Sequence, residues 1–189
     1  MPIIQIVVAS TREGRIGRSV ADWVFEVGRE RGGAEIELVD LKDVALPMFD
    51  EPNHPRLGQY MNDHTKRWSA KVAGADAFIF VTPEYNHSFP ASLKNAIDYL
   101  HNEWLYKPVG FVSYGGVAAG TRAVQALKPV LAALQMIPVL EGVSIPFVHT
   151  NLGADGRFNA PDGLADATKL MFARTEFWIA RQASLYQGR

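Results

Sequence analysis

The strongest constraint on this chain is a unit that recurs along it: a short apolar run, a polar turn, then a segment with apolar residues at helical spacing. Ile3–Ala9 is β-branched and apolar with little alternation, as expected of a strand buried on both faces. Val20, Trp23, Val24 and Val27 then share one helix face, with Asp22, Glu26, Arg29 and Glu30 on the other. Gly32-Gly33 supplies the stop. Glu35–Leu41 alternates through Ile36 and Leu38 and reads as a strand nearer an edge. A Pro-rich stretch from Ala45 to Pro55 leads into a helix expected to carry Leu57, Met61, Trp68 and Val72. Ala77–Thr82 is the most apolar run and is expected at the sheet centre. Pro90 suits the first turn of the next helix, to about Leu100, because its missing N–H is not needed there. Val109–Tyr114 is a fourth strand, and the helix after it carries Val124, Leu127, Leu131 and Leu134 with Pro129 inside. Met136–Val143 reads as a fifth strand and Pro161–Tyr186 as the last helix.

Five strands alternating with five helices predict an α/β, doubly wound parallel sheet with helices on both faces. Right-handed crossovers leave few topologies, of which the flavodoxin-like order 2-1-3-4-5 fits. No linker or repeat divides the chain, so residues 1–189 are expected to form a single domain. In such sheets ligands bind beyond the carboxyl ends of the strands, where the winding reverses. The loops after strands 1, 3 and 4 are therefore the expected site.

Composition removes whole classes of function. Without cysteine there is no disulfide framework, thiolate metal site or cysteine nucleophile. Lys+Arg of 19 against Asp+Glu of 20 lacks the basic excess of a nucleic-acid or acidic-membrane binder. No apolar run approaches the ~20 residues of a bilayer span, and Met1-Pro2-Ile3 shows no signal-peptide n-region. A cytoplasmic protein is expected. The five histidines show no metal-ligand spacing, so no metal is expected. No G-x-S-x-G elbow is present either.

The first loop, Ala9-Ser10-Thr11-Arg12-Glu13-Gly14-Arg15-Ile16-Gly17-Arg18-Ser19, brings hydroxyls, arginines and glycines to a helix N-terminus. Hydroxyls donate, guanidinium groups neutralise and free N–H groups point outward, which suits a phosphate. The plainer alternative is a solvated turn capped by Ser10 or Ser19. The loop is not a Walker A and not G-x-G-x-x-G, which disfavours a nucleoside triphosphate or dinucleotide site. After strand 3, prolines bracket Glu84–Phe89, a stiff loop that could border a planar ring or merely plug the core with Tyr85 and Phe89. His87 has no assigned role. After strand 4, Ser113-Tyr114-Gly115-Gly116 opens another glycine-rich helix entrance, where a ligand could approach the main chain or a turn could need positive φ.

Together, Ser10-Thr11-Arg12-Glu13-Gly14-Arg15-Ile16-Gly17, Pro83-Glu84-Tyr85-Asn86 with Leu93-Lys94-Asn95-Ala96-Ile97-Asp98, and Ser113-Tyr114-Gly115-Gly116 resemble the NAD(P)H-dependent FMN reductase family. That family includes quinone, azo-dye and chromate reductases. The resemblance implies that Ser10, Arg12, Gly14, Arg15, Ile16 and Gly17 hold the FMN phosphate. It implies that Pro83, Glu84, Tyr85 and Asn86 border the isoalloxazine, and Ser113, Gly115 and Gly116 its pyrimidine side. Several relatives carry serine in place of Arg15. The implied activity passes hydride from NADPH or NADH through FMN to a small acceptor: a quinone, free flavin, azo compound or metal oxyanion. No catalytic side chain is implied, because flavin N5 carries the chemistry; main-chain donors at Gly115 and Gly116 would stabilise charge on the reduced ring. Family members pair as homodimers or homotetramers through the helix holding Asn95 and Asp98. Two alternatives compete: a non-enzymatic flavodoxin-type electron carrier, usually strongly acidic, and a flavin-free phosphate-binding regulatory domain.

Overall fold

The structure, a computed structural model, describes residues 1–186. A parallel sheet runs in the order β2-β1-β3-β4-β5, with β1 Ile3–Val8, β2 Glu35–Asp40, β3 Ala77–Pro83, β4 Pro108–Tyr114 and β5 Ile137–Pro138. A short β6, Val143–Ile145, also pairs with β4. The helices are α1 Gly17–Arg31, α2 Leu41–Val44, α3 Asp63–Ala73, α4 Ala91–Asp98, α5 Thr121–Ala133 and α6 Leu164–Tyr186. No helix among the described residues is long and apolar enough to cross a membrane.

The period of two along each strand divides the core. Ile4, Ile6, Val8, Ile79, Val81 and Val112 meet Val20 and Val24 of α1 and Met171 and Phe172 of α6. Val7, Phe78, Phe80, Val109 and Phe111 face the other way, onto Trp68, Leu93, Ile97, Leu127 and Leu131 of α3, α4 and α5. Helices thus cover both faces, as the run of buried strands required. β3 is buried along its whole length, in the central position its composition predicts.

Four elements depart from the sequence reading, and the first is α2, a short helix that begins at Leu41, where the reading has the end of a strand. The fifth strand, expected over Met136–Val143, is split. Ile137 and Val139 donate to Lys107 and Val109 carbonyls, then Leu140 turns out, 87% exposed, and pairing resumes at Val143 beside Val112. Pro138 has no N–H to donate and Gly142 stands over the Phe111 carbonyl, so this edge tolerates a break that a central strand would not. Leu57 and Met61 are not helical core. They are exposed in the segment that follows the Pro-rich stretch, which opens with a 3₁₀ turn at Pro55–Leu57, and α3 starts only after Asn62. The last helix begins at Leu164 rather than Pro161. Pro129 sits inside α5, which continues through it.

Candidate active site

The C-terminal ends of β1, β3 and β4 converge, and their loops enclose a pocket of about 170 Å³. It is lined by Arg12, Arg15, Ile16, Pro83, Glu84 and Tyr85, with Tyr114, Gly115 and Val148 closing it. Seven residues singled out in the sequence are thereby brought together from all three loops.

Within the first loop, no main-chain N–H from Ser10 to Ser19 has an acceptor among the described residues. Ile16 occupies the N-cap of α1, no side chain caps it, and the first turn holds no acid. The plainer expectation, a serine cap at Ser10 or Ser19, is therefore not met: Ser19 donates instead to the Gly156 carbonyl. Gly14 makes the turn at φ +65°, where a side chain would be strained. The partial positive charge of the helix start is left for an anion.

The three arginines here are not equivalent. Arg15 is bidentate to Asp40 at 2.6 Å, both side chains nearly buried, and also donates to the Ser10 carbonyl. Arg18 pairs with Asp22 and, more distantly, with Asp40, and these contacts raise its pKa, the Asp22 hydrogen bond most. Among the described residues Arg12 has only the neighbouring Glu13 carbonyl and no carboxylate partner. It is the loop's uncommitted positive charge.

Ser10 is 1% exposed, and its Oγ accepts from the Tyr114 hydroxyl at 3.2 Å. A Cβ at Gly17 would overlap both oxygens, so α1 can start here only with glycine. In the second loop, Tyr85 and Ser88 exchange main-chain hydrogen bonds, with Asn86 at φ 49° and His87 at φ 65° between them. This is the two-residue hairpin geometry that asparagine tolerates, and it carries Asn86 and His87 to an exposed tip outside the pocket. Glu84 lies at the pocket wall. Arg122 of α5 grips its Oε1, while Oε2 is buried without a donor among the described residues. Such an oxygen costs ~1–3 kcal/mol until a donor reaches it.

The third loop departs most from expectation. Ser113 points to the opposite face of β4, where its Oγ lies 3.4 Å from Ser144 Oγ in a separate pocket beside α5. The Gly115 N–H already donates to the Ile145 carbonyl, whereas the Gly116 N–H has no main-chain acceptor among the described residues, and a Cβ at Gly116 would meet open space. Tyr114, Asp40 and Val148 were not singled out by sequence reasoning. Tyr114 stands inside a quoted motif, and Asp40 ends a strand beside an arginine-rich loop, so both left a trace. Val148 arrives from beyond β6 and left none.

Residues 1–150 match the family model described as NADPH-dependent FMN reductase. An NAD(P)H-dependent FMN reductase of Schizosaccharomyces pombe is 44% identical over 149 residues, covering 77% of this chain and 74% of the relative. A quinone reductase of Pseudomonas putida is 32% identical over 139 residues, covering 70% and 71%. Among solved structures, FerB of Paracoccus denitrificans, a flavoenzyme NAD(P)H:(acceptor) oxidoreductase, superposes with a TM-score of 0.76. That match covers 96% of this chain and 99% of FerB at 22% identity, a likeness of fold.

Proposed function

The chain belongs to the NADPH-dependent FMN reductase family, oxidoreductases that draw electrons from NAD(P)H, and from that premise we propose that it holds FMN in the pocket above β1, β3 and β4. The observation that carries this reading is the run of unpartnered N–H groups from Ser10 to Ser19 beside the uncommitted Arg12. A phosphate monoester of about −1.5 to −2 charge fits such donors. Ser10, Arg12 and the main chain from Gly14 to Gly17 hold it. Pro83, Glu84 and Tyr85 border the ring, with the orphaned Glu84 oxygen as acceptor for a ring N–H. Gly116, rather than Gly115, offers the N–H that stabilises negative charge on that ring. Arg15, Asn86 and Ser113 shape the loops from behind.

Bound FMN supplies a hydride acceptor and donor, so the protein's own work is to bind, orient and polarise. The acceptor is a small molecule of the quinone class, in keeping with the quinone reductase relative. Residues 1–189 act as a single domain. A second copy docks along the apolar trough beside α4, about 500 Å³, lined by Phe49, Ile97, Leu100, Val130 and Leu134. The test is titration of the purified protein with FMN, followed by anaerobic NADPH. Uptake of FMN, bleaching by NADPH and parallel double-reciprocal lines with a quinone are expected; protein that takes up no FMN overturns the reading.

A further inference from the structure

Tyr114 is the group behind the phosphate loop. Its strand register, opposite Pro83 on one side and Ile145 on the other, points its ring toward α1. Its hydroxyl reaches Ser10 Oγ because Gly17 has no Cβ in the way. A serine hydroxyl has one proton to give and two lone pairs. Tyr114 fills a lone pair, so the Ser10 proton cannot point back along that line. Among the described residues Ser10 Oγ donates to no acceptor, and the neighbouring Ser10 and Ala9 carbonyls are taken by Arg15 and Ser92. That proton is left available to a ligand that reaches the first loop.

We propose that Tyr114 is a positioning residue: by donating to Ser10 Oγ it turns the serine proton outward, so that Ser10 recognises the phosphate end of the ligand. The inference rests on the phosphate-site reading above. Two further features support it. Burial, the largest cause, pushes the Tyr114 hydroxyl up to about 12, so it keeps its proton at neutral pH. Ser10 and Tyr114 are both nearly buried, so water does not compete for the bond.

The consequence is selective. Tyr114→Phe keeps the ring and its packing but frees the serine hydroxyl, which weakens recognition of the phosphate and leaves recognition of the ring system alone. Fluorescence titration of wild type, Tyr114→Phe, Ser10→Ala and the double variant with FMN and with riboflavin reads this directly. Expected is a loss of about tenfold in FMN affinity for each single variant, as for one hydrogen bond to a charged group. Riboflavin affinity stays unchanged, and the double variant is no worse than Ser10→Ala. Equal losses for FMN and riboflavin in Tyr114→Phe would make the tyrosine merely structural and overturn the proposal. So would a Tyr114→Phe that binds FMN normally while Ser10→Ala does not. If Ser10→Ala and Arg12→Ala both bind FMN as wild type does, the phosphate-site reading itself is wrong.

Discussion

At the scale of single residues, the first loop separates two kinds of arginine that look alike in sequence. Arg15 and Asp40 are a nearly buried, bidentate pair, and removing one partner strands the other charge. Asp40→Ala should cost about 3–5 kcal/mol of stability, read from the urea midpoint; a loss no larger than that of an exposed ion pair would refute the assignment. Arg12 holds nothing in place. Arg12→Ala should leave the midpoint unchanged while FMN affinity falls ~10–100-fold, the worth of a charge-assisted hydrogen bond. Unaltered flavin affinity would say that the phosphate lies elsewhere. The motif made both arginines legible as a pair of candidates. Which was free could not be read, because Asp40 comes from another strand and only the parallel pairing of β1 with β2 brings it near. Ser113 shows the same limit: the period of two turns it away from its motif neighbours, a matter of register rather than composition.

At the scale of elements, the strands and helices were legible wherever apolar period and length agreed, as in β1, α1, β3 and β4. They were obscured where a long-range polar contact decides the path. The segment from Ala45 to Asn62 is such a case, since its apolar residues look helical but side chains elsewhere pin its main chain. Asn95 of α4 accepts from the Phe49 N–H and donates to the Pro47 carbonyl. Glu51 accepts from the Met61 and Asn62 N–H groups, while Asp50 meets His64 and Tyr99. Burial works to raise the Glu51 carboxyl, but those two N–H groups hold it below its ordinary 4.5. His64 above all, then Tyr99 and Asn62, lower Asp50 from 3.8 against a smaller burial effect. Depressed carboxyls stabilise the fold above their unfolded pKa and lose that contribution as pH falls through the folded value. Hydrogen exchange in this segment should therefore accelerate below about pH 4 before the sheet opens, and Glu51→Gln should loosen it already at neutral pH. Exchange that rises in the segment and the sheet at the same pH would show that these carboxylates do not govern it.

At the scale of the whole molecule, α6 lies outside the matched residues 1–150 yet completes one face of the sheet. Phe172 is 1% exposed and packs on Gly28 so closely that a Cβ there would reach its ring. Phe172→Ala should cost ~3–5 kcal/mol, seen as a lower urea midpoint; a loss below about 1 kcal/mol would mean α6 is an appendage. Proton linkage across the fold gives a second whole-molecule signature. Burial lowers Lys107 from 10.5 to about 8, with Asp76 and Glu103 pulling the other way, while its Nζ donates to the Val72 and Ala73 carbonyls. Between those values the unfolded chain binds a proton that the folded one has shed, so stability rises with pH over that window. Tyr60, Tyr99 and Tyr114 act oppositely. Burial, the largest cause for each, raises all three, Tyr99 and Tyr114 to about 12, so the folded state keeps protons that the unfolded chain releases from 10 upward. Stability present below 10 is then lost as pH climbs to about 12. The urea midpoint should rise above pH 8, turn near 10 and fall beyond it. Lys107→Met removes the rising limb and keeps the falling one, because above pH 8 the lysine is the group that binds fewer protons when folded, the carboxyls having titrated far lower; a Lys107→Met profile parallel to that of wild type would place the proton release on another group.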